Sequence, residues 1–97
     1  MEIRDLKELN EGQKIVVRID TPLENLRFDL ELMDSPNFEH FKAKKSYTPS
    51  IKKEWGEFGS ETILEIPYSG HWYLVLNDRG YQNPNPNLAF GITLLGV

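Results

Sequence analysis

The chain has 97 residues, of which 39% are apolar and 27% charged, a composition typical of one ordinary folded domain. It contains no cysteine, which excludes disulfide frameworks, thiol nucleophiles, cysteine-ligated zinc and iron–sulfur clusters. The formal net charge of −4 argues against nucleic-acid binding, and the longest apolar runs are far too short to span a membrane.

The first part of the chain predicts an irregular lead-in followed by two strands. Residues 5–12 carry apolar side chains only at Leu6 and Leu9 and end on a glycine, which indicates a lead-in. Residues 14–20 are rich in β-branched side chains and predict a strand that stops before a proline. Residues 27–34 alternate, so we expect Phe28, Leu30 and Leu32 to face a core and Arg27, Asp29 and Glu31 to face solvent.

One short helix is predicted near residues 35–45. Asp34 or Ser35 can cap it, Pro36 suits its first turn, and lysines near its end complement the helix dipole. Phe38 and Phe41 fall on one face. Because a helix of this length is marginal alone, we expect both rings to dock on a sheet.

The second half predicts further strands separated by turns. Residues 47–55 indicate either an edge strand or a long loop, and residues 62–67 a strand that ends at a proline. Residues 71–77 are apolar on both faces, as a central strand requires, and residues 88–95 form the last strand after an exposed loop at residues 82–87. The fold predicted for residues 1–97 is a single, mainly β domain: a small β-sandwich or partly open barrel of six to seven short strands with one helix.

Ser69, His71 and Tyr73 alternate along the sequence, so they project to one side of an extended chain. A hydrolase would need His71 within hydrogen-bond reach of Ser69, with an acid such as Asp34 or Asp78 to orient the imidazole. The sequence lacks the strand-to-helix elbow that exposes a nucleophilic serine in the commonest fold of this chemistry. It therefore favours a non-catalytic domain over an enzyme and keeps the hydrolase as an alternative.

His71 has two interpretations. Its ring nitrogens can satisfy backbone or carboxylate groups and brace the start of a strand. That bracing role is the favoured one, and the alternative is that His71 lines a shallow recognition surface with Tyr73 and Tyr81, since such rings combine a flat apolar body with a polar tip.

Cofactor sites have little support. Asp34, Glu39 and His40 show no metal-ligand spacing, and no glycine-rich turn opens a helix after a strand, so we expect neither a metal nor a nucleotide. An asparagine–proline loop near Tyr81 suggests a carbohydrate-binding module as a further alternative, with Trp55 or Trp72 reporting on the sugar; the loop contains Asn83, Pro84, Asn85, Pro86 and Asn87.

The charge is unevenly distributed. Five lysines lie between Glu39 and Glu54 with no acidic residue among them: Lys42, Lys44, Lys45, Lys52 and Lys53. They indicate either a solvated surface or a region that meets an acidic partner. The N-terminus shows no basic start followed by an apolar stretch, so a secretory signal is not expected and the cytoplasm is the predicted compartment.

Four blocks occur in an order that resembles a bacterial family, domain of unknown function eighteen eighty-three. They are Asp5-Leu6 with Leu9 and Gly12, Leu32-Met33-Asp34-Ser35 with Asn37-Phe38, Ile66-Pro67 with Ser69-Gly70-His71-Trp72, and Gly80-Tyr81. The resemblance spans nearly the whole chain and implies a small, mostly β domain that stands alone or is joined to a TIR domain. It implies no activity and no catalytic residue. The chain departs from the family at residues 44–49 and at the asparagine–proline loop.

The function predicted from these observations is a non-catalytic interaction module, with association to TIR-type signalling implied by the resemblance alone. We expect a protein partner, and no nucleic acid, membrane or cofactor. Edge strands in so small a domain also leave room for a homo-oligomer. The candidate binding surface comprises Asp34, Ser35, Asn37, Ser69, His71, Tyr73 and Tyr81.

Overall fold

The computed structural model describes residues 2–19, 28–54, 61–78 and 90–95, and these residues contain seven strands and one helix. In chain order the elements are β1 (Glu2–Leu9), β2 (Lys14–Ile19), β3 (Asp29–Asp34), α1 (Ser35–Lys42), β4 (Ile51–Glu54), β5 (Glu61–Glu65), β6 (Gly70–Asn77) and β7 (Phe90–Leu95). They form a four-stranded sheet in the order β1-β6-β3-β4 and a three-stranded sheet in the order β5-β2-β7. All pairings are antiparallel, and the prediction of a small, mainly β fold with one short helix is confirmed.

The main core lies between the two sheets. The four-stranded sheet contributes Leu30, Leu32, Trp72, Leu74 and Leu76, and the three-stranded sheet contributes Ile15, Val17 and Leu64. These positions recur every second residue because alternate side chains of a strand point to the same face.

A second, smaller core lies on the opposite face of the four-stranded sheet, which we call the outer face. Phe38 and Phe41 of α1 pack there against Met33 and Val75, so the expected docking of both rings is confirmed. Strand β6 is thus buried on both faces and lies between β1 and β3, as its apolar composition predicts.

The prediction of an irregular lead-in was wrong, because residues 2–9 form the edge strand β1. The pairing of β1 with β6 shifts register between Asp5 and Lys7, and Lys7 has a positive φ of 62°. This β-bulge changes which face each following residue occupies. Leu6 and Leu9 therefore both contact the main core although they are three residues apart, and no regular alternation marks the strand.

The outer face of β3 was also predicted wrongly in one respect. Glu31 was expected in solvent, but it is only 2% exposed. Tyr47, from the segment after α1, donates its hydroxyl proton to Glu31 Oε1 at 2.9 Å, and the Asn77 amide donates to Oε2 at 2.8 Å. The segment after the helix thus covers a face that the alternation of β3 predicts to be wet.

The helix is shorter than the predicted range of residues 35–45. Asp34 is its N-cap, and the backbone N–H of Ala43 still donates to Glu39 O at 3.0 Å. Lys44 then adopts a left-handed φ of 59°, which ends the helix after Lys42. The ambiguous residues 47–55 divide into a loop followed by the edge strand β4, and Trp55 lies outside the described residues.

Candidate functional site

Three stacked rings form a surface at the first half of β6, which we call the ring stack: His71, Tyr73 and Phe38. The rings of His71 and Tyr73 are 4.8 Å apart and inclined by 16°, and those of Tyr73 and Phe38 are 3.8 Å apart and inclined by 10°. Phe38 is buried, Tyr73 is half-buried, and the His71 side chain is 31% exposed. The stack therefore runs from the small core to solvent, with its outer end accessible.

Strand β1 supplies the polar rim of the ring stack. His71 donates from Nε2 to Asp5 Oδ1 at 2.6 Å, and its Nδ1 lies 3.7 Å from Glu8 Oε1. The bulge makes this arrangement, because residues 5 and 8 would occupy opposite faces of a regular strand. The sequence predictions missed Asp5 and Glu8 because the bulge also concealed the strand that carries them.

The Asp5 carboxylate is held in place by its own strand. The backbone N–H of Lys7 donates to Asp5 Oδ1 at 2.8 Å. This bond lowers the pKa of Asp5 below its ordinary value, against the opposing effect of partial desolvation, and the hydrogen bond from His71 lowers it further. Asp5 therefore presents a stable negative charge to the imidazole.

A second group of polar side chains lies at the start of α1, and we call it the helix-start cluster: Asp34, Asn37 and Tyr68. Asp34 Oδ1 accepts from the backbone N–H of Asn37 at 3.1 Å and from its side-chain amide at 2.8 Å, while the hydroxyl of Tyr68 donates to Oδ2. Asn37 Oδ1 in turn accepts from the backbone N–H of Thr48 at 2.9 Å. The cluster joins the helix, the loop after it and the turn before β6. It therefore acts as a structural brace.

The charges of the helix-start cluster follow from these bonds. Desolvation raises the pKa of Asp34, but the hydrogen bonds from Tyr68 and Asn37 outweigh it, so the pKa lies below the ordinary value. The same hydrogen bond to Asp34, together with desolvation, raises the pKa of Tyr68. At neutral pH the pair is thus a carboxylate and a neutral phenol.

The residues of the hydrolase alternative have separate partners. Ser69 Oγ accepts from the backbone N–H of Glu11 at 3.0 Å, His71 donates to Asp5, and Asp34 caps α1. Asp78 is buried, 4% exposed, and follows directly after β6 at its far end. In the part of the chain that the structure describes, no hydrogen bond joins Ser69 to His71, and the acid that His71 contacts is Asp5 rather than Asp34 or Asp78.

The remaining members of the predicted surface are dispersed. Ser35 is half-buried at the first position of α1, and Tyr81 lies outside the described residues, as do the asparagines of the proline-rich loop. Trp72 has no exposed surface and donates from Nε1 to the carbonyl of Tyr68 at 3.0 Å. Trp72 is therefore a core residue and offers no ring face to a sugar.

The lysine-rich region is partly paired. Lys42 lies 3.1 Å from Glu39, and Lys52 lies 3.7 Å from Asp29. Lys44 and Lys45 are exposed and form no ion pair with another described residue. Lys53 points between the sheets instead and donates to Thr62 Oγ1 at 2.7 Å.

Three further findings bear on the function. Among residues 2–19, 28–54, 61–78 and 90–95, no group of three or more histidine, cysteine or acidic side chains is arranged to hold a metal ion. Within the same residues, the only helix is much too short to cross a bilayer. Comparison of the chain with models of protein families, with curated proteins and with solved structures finds no match.

Proposed function

We propose that this domain is a non-catalytic protein-interaction module that contacts its partner through the ring stack and its acidic rim. The observation that carries the proposal is the parallel stacking of His71 on Tyr73 and of Tyr73 on Phe38, with the outer ring 31% exposed. Aromatic anchors held rigid in the free protein bind with little further loss of conformational entropy.

The polar rim supports specific recognition. Asp5 and Glu8 flank the imidazole, and the Glu8 side chain is 78% exposed. A partner that places a donor or a cation beside the stack would meet two carboxylates there, which increases the association rate and selects against acidic surfaces. The separate hydrogen-bond partners of Ser69, His71 and Asp34 support binding over catalysis. TIR-type signalling is the context that the family resemblance implies, and a purified TIR domain is accordingly one probe.

The test is affinity capture with three versions of the full chain: wild type, His71→Ala and His40→Ala. His40 is the matched control because it is the second histidine and is exposed on α1. We expect proteins captured by the wild-type and His40→Ala chains to be lost with His71→Ala, with at least a tenfold fall in affinity, which corresponds to about 1.4 kcal/mol.

Thermal unfolding of each variant shows that the fold is retained. The proposal fails if every protein captured by the wild type, including the TIR domain, is captured equally by His71→Ala. An affinity loss accompanied by unfolding would instead make His71 a purely structural brace. In that case Glu8→Gln decides whether the surface binds a partner, because it changes only an exposed side chain of the rim.

A further inference from the structure

A groove runs along the side of the sandwich between two edge strands, β4 of one sheet and β5 of the other. It has a volume of about 560 Å³ and is open to solvent along its length. Its walls include the apolar residues Ile51, Ile63, Leu64, Ile66 and Pro67 and the polar residues Glu11, Ser50 and Glu65, with Lys53 projecting into it. The groove involves no residue of the ring stack or of the helix-start cluster.

The backbone of β5 presents to this groove N–H and C=O groups that pair with no other strand among the described residues. The N–H of Ile66 donates to Gln13 O at 2.8 Å, toward β2. Because the direction of backbone N–H and C=O groups alternates along a strand, those of Ile63 and Glu65 point away from β2, to the free edge. No other strand among the described residues pairs with this edge. An extended chain could therefore add to it by main-chain hydrogen bonds.

Among the described residues that line the groove, Lys53 is the one basic side chain, and Glu11 and Glu65 are exposed acidic ones. Lys53 is half-buried, and its ammonium group donates to the hydroxyl of Thr62, which is 8% exposed, at 2.7 Å. An ammonium group has three protons to donate, and no carboxylate among the described residues forms an ion pair with Lys53. A partly desolvated cation with a neutral acceptor is stabilised by a ligand that brings an anion.

The charges on β5 argue against a second copy of this chain as the occupant. Antiparallel pairing of two β5 edges centred on Ile63 would place Glu61 of each copy opposite Glu65 of the other, on the outward side of the sheet. Like charges directly opposite one another destabilise a strand pair. The edge therefore favours a different chain.

We propose that this groove binds an extended peptide of a partner protein, which adds to β5 as a further strand. The peptide carries an acidic side chain that points inward to Lys53. The peptide residue next to this acidic residue points outward and is apolar, because it lies against Ile63, whose side chain is 55% exposed. The ligand class is thus an extended segment with an acidic residue between apolar ones, and it is independent of the ring stack.

The experiment selects peptides from a displayed library of random heptapeptides with the full chain, and then measures the selected peptides on three variants. Lys53→Met keeps the length of the side chain and removes its charge. Lys45→Met is the matched control, since Lys45 is exposed and unpaired among the described residues. Glu65→Pro removes an outward-pointing N–H without disturbing the bonds to β2, and Glu65→Gln controls for its lost charge.

We expect the selected peptides to carry an acidic residue between apolar ones. Their Kd should rise about tenfold or more with Lys53→Met and with Glu65→Pro, and remain unchanged with Lys45→Met and His71→Ala. Hydrogen exchange gives an independent readout: the amides of Ile63 and Glu65 should become protected when peptide binds, whereas that of Leu64, which faces β2, should change little. If Glu65→Pro does not fold, Lys53→Met and the exchange pattern still decide the matter.

Three results would overturn the proposal. The first is a selection in which no peptide binds the wild type more tightly than the Lys53→Met chain. The second is that bound peptides leave the exchange of Ile63 and Glu65 unchanged. The third is protection of these amides without peptide at rising protein concentration, which would identify a second copy as the occupant. Because His71→Ala leaves this groove intact, each result is distinguishable from failure of the ring stack to bind a partner.

Discussion

The two faces of β6 differ in how their side chains are used. On the inner face, Trp72, Leu74 and Leu76 have no exposed surface, and the face is apolar along its whole length. On the outer face, exposure varies from the half-exposed His71 to the fully buried Val75, and a polar residue stands at each end of the strand. One strand can therefore secure the fold with one face and present chemistry with the other.

The largest expected effect on stability comes from removing a large side chain from the inner face. Trp72→Ala should lower the free energy of unfolding by about 3–5 kcal/mol, because a large ring is lost from between two close-packed sheets. A small domain is stable by only about 5–15 kcal/mol in total, so this variant should be close to unfolded. Trp72→Phe fills most of the space and loses the hydrogen bond to Tyr68 O, and it should cost about 2 kcal/mol.

Urea unfolding followed by circular dichroism measures both variants without relying on tryptophan fluorescence. A Trp72→Ala chain as stable as the wild type would show that the inner face is not the main source of stability, and the contrast between the two faces would disappear.

The second-largest effect is expected at Glu31, the buried carboxylate on the outer face of β3. Glu31→Leu removes an acceptor of both the Tyr47 hydroxyl and the Asn77 amide, which also donates to Tyr47 Oη at 3.3 Å, and it should cost about 1–3 kcal/mol. In a Tyr47→Phe background one of these donors is already absent, so the same change should cost less. Urea denaturation of the four chains gives the coupling energy. Equal costs in both backgrounds would mean that Tyr47 and Glu31 do not depend on each other.

The sequence predicts the inner face much better than the outer one. The alternation in β3 and the apolar run in β6 identify the part of the main core that these strands supply, because a buried face needs only apolar residues at the right period. Glu31 was placed in solvent because nothing in β3 indicates that Tyr47, sixteen positions later, would cover it. Partners distant in sequence decide such positions.

The same limit applies to the candidate site. The sequence placed His71 and Tyr73 on one side of a strand, and the structure shows both in the ring stack. It did not predict Asp5 and Glu8 beside them, because the bulge at Lys7 removes the alternation by which β1 would be recognised. Asp34 was predicted both as a possible cap of the helix and as part of the candidate surface, and the structure shows it as the N-cap, bonded to Asn37 within the helix-start cluster, since capping uses the same residue types as recognition.

The third prediction concerns the helix-start cluster, where Tyr68 donates to Asp34. Because the pKa of Asp34 is lowered from 3.8, this bond contributes stability above that value and loses it as the pH falls through the pKa of the folded state. Because the pKa of Tyr68 is raised from 10.0, the contribution persists below that value and is lost as the pH rises through the pKa of the folded state.

Tyr68→Phe should therefore lower the free energy of unfolding by at most about 1 kcal/mol near neutral pH, since Tyr68 is exposed and solvent competes for the bond. The difference between wild type and variant should shrink at both ends of the pH range. Urea denaturation from pH 3 to pH 11 measures it, and a difference that is constant across the range would show that the hydrogen bond to ionised Asp34 is not its source, since Phe keeps the ring that packs on Trp72.

The smallest effect is expected at the exposed end of the ring stack and concerns the pKa of Asp5. It separates the contributions of the two groups that donate to this carboxylate. The backbone N–H of Lys7 is the largest single cause that lowers the pKa of Asp5, and the hydrogen bond and charge interaction with His71 add to it. In His71→Ala the pKa of Asp5, followed by the carbon-13 shift of its carboxyl group, should therefore rise only part of the way toward its ordinary value. A complete return to 3.8 would show that the imidazole, and not the Lys7 N–H at the bulge, lowers the pKa of this carboxylate. The partial return that we expect means that β1 holds the acidic rim in place even without the imidazole beside it. His71 therefore remains available for a partner, while the fold depends on the other face of β6.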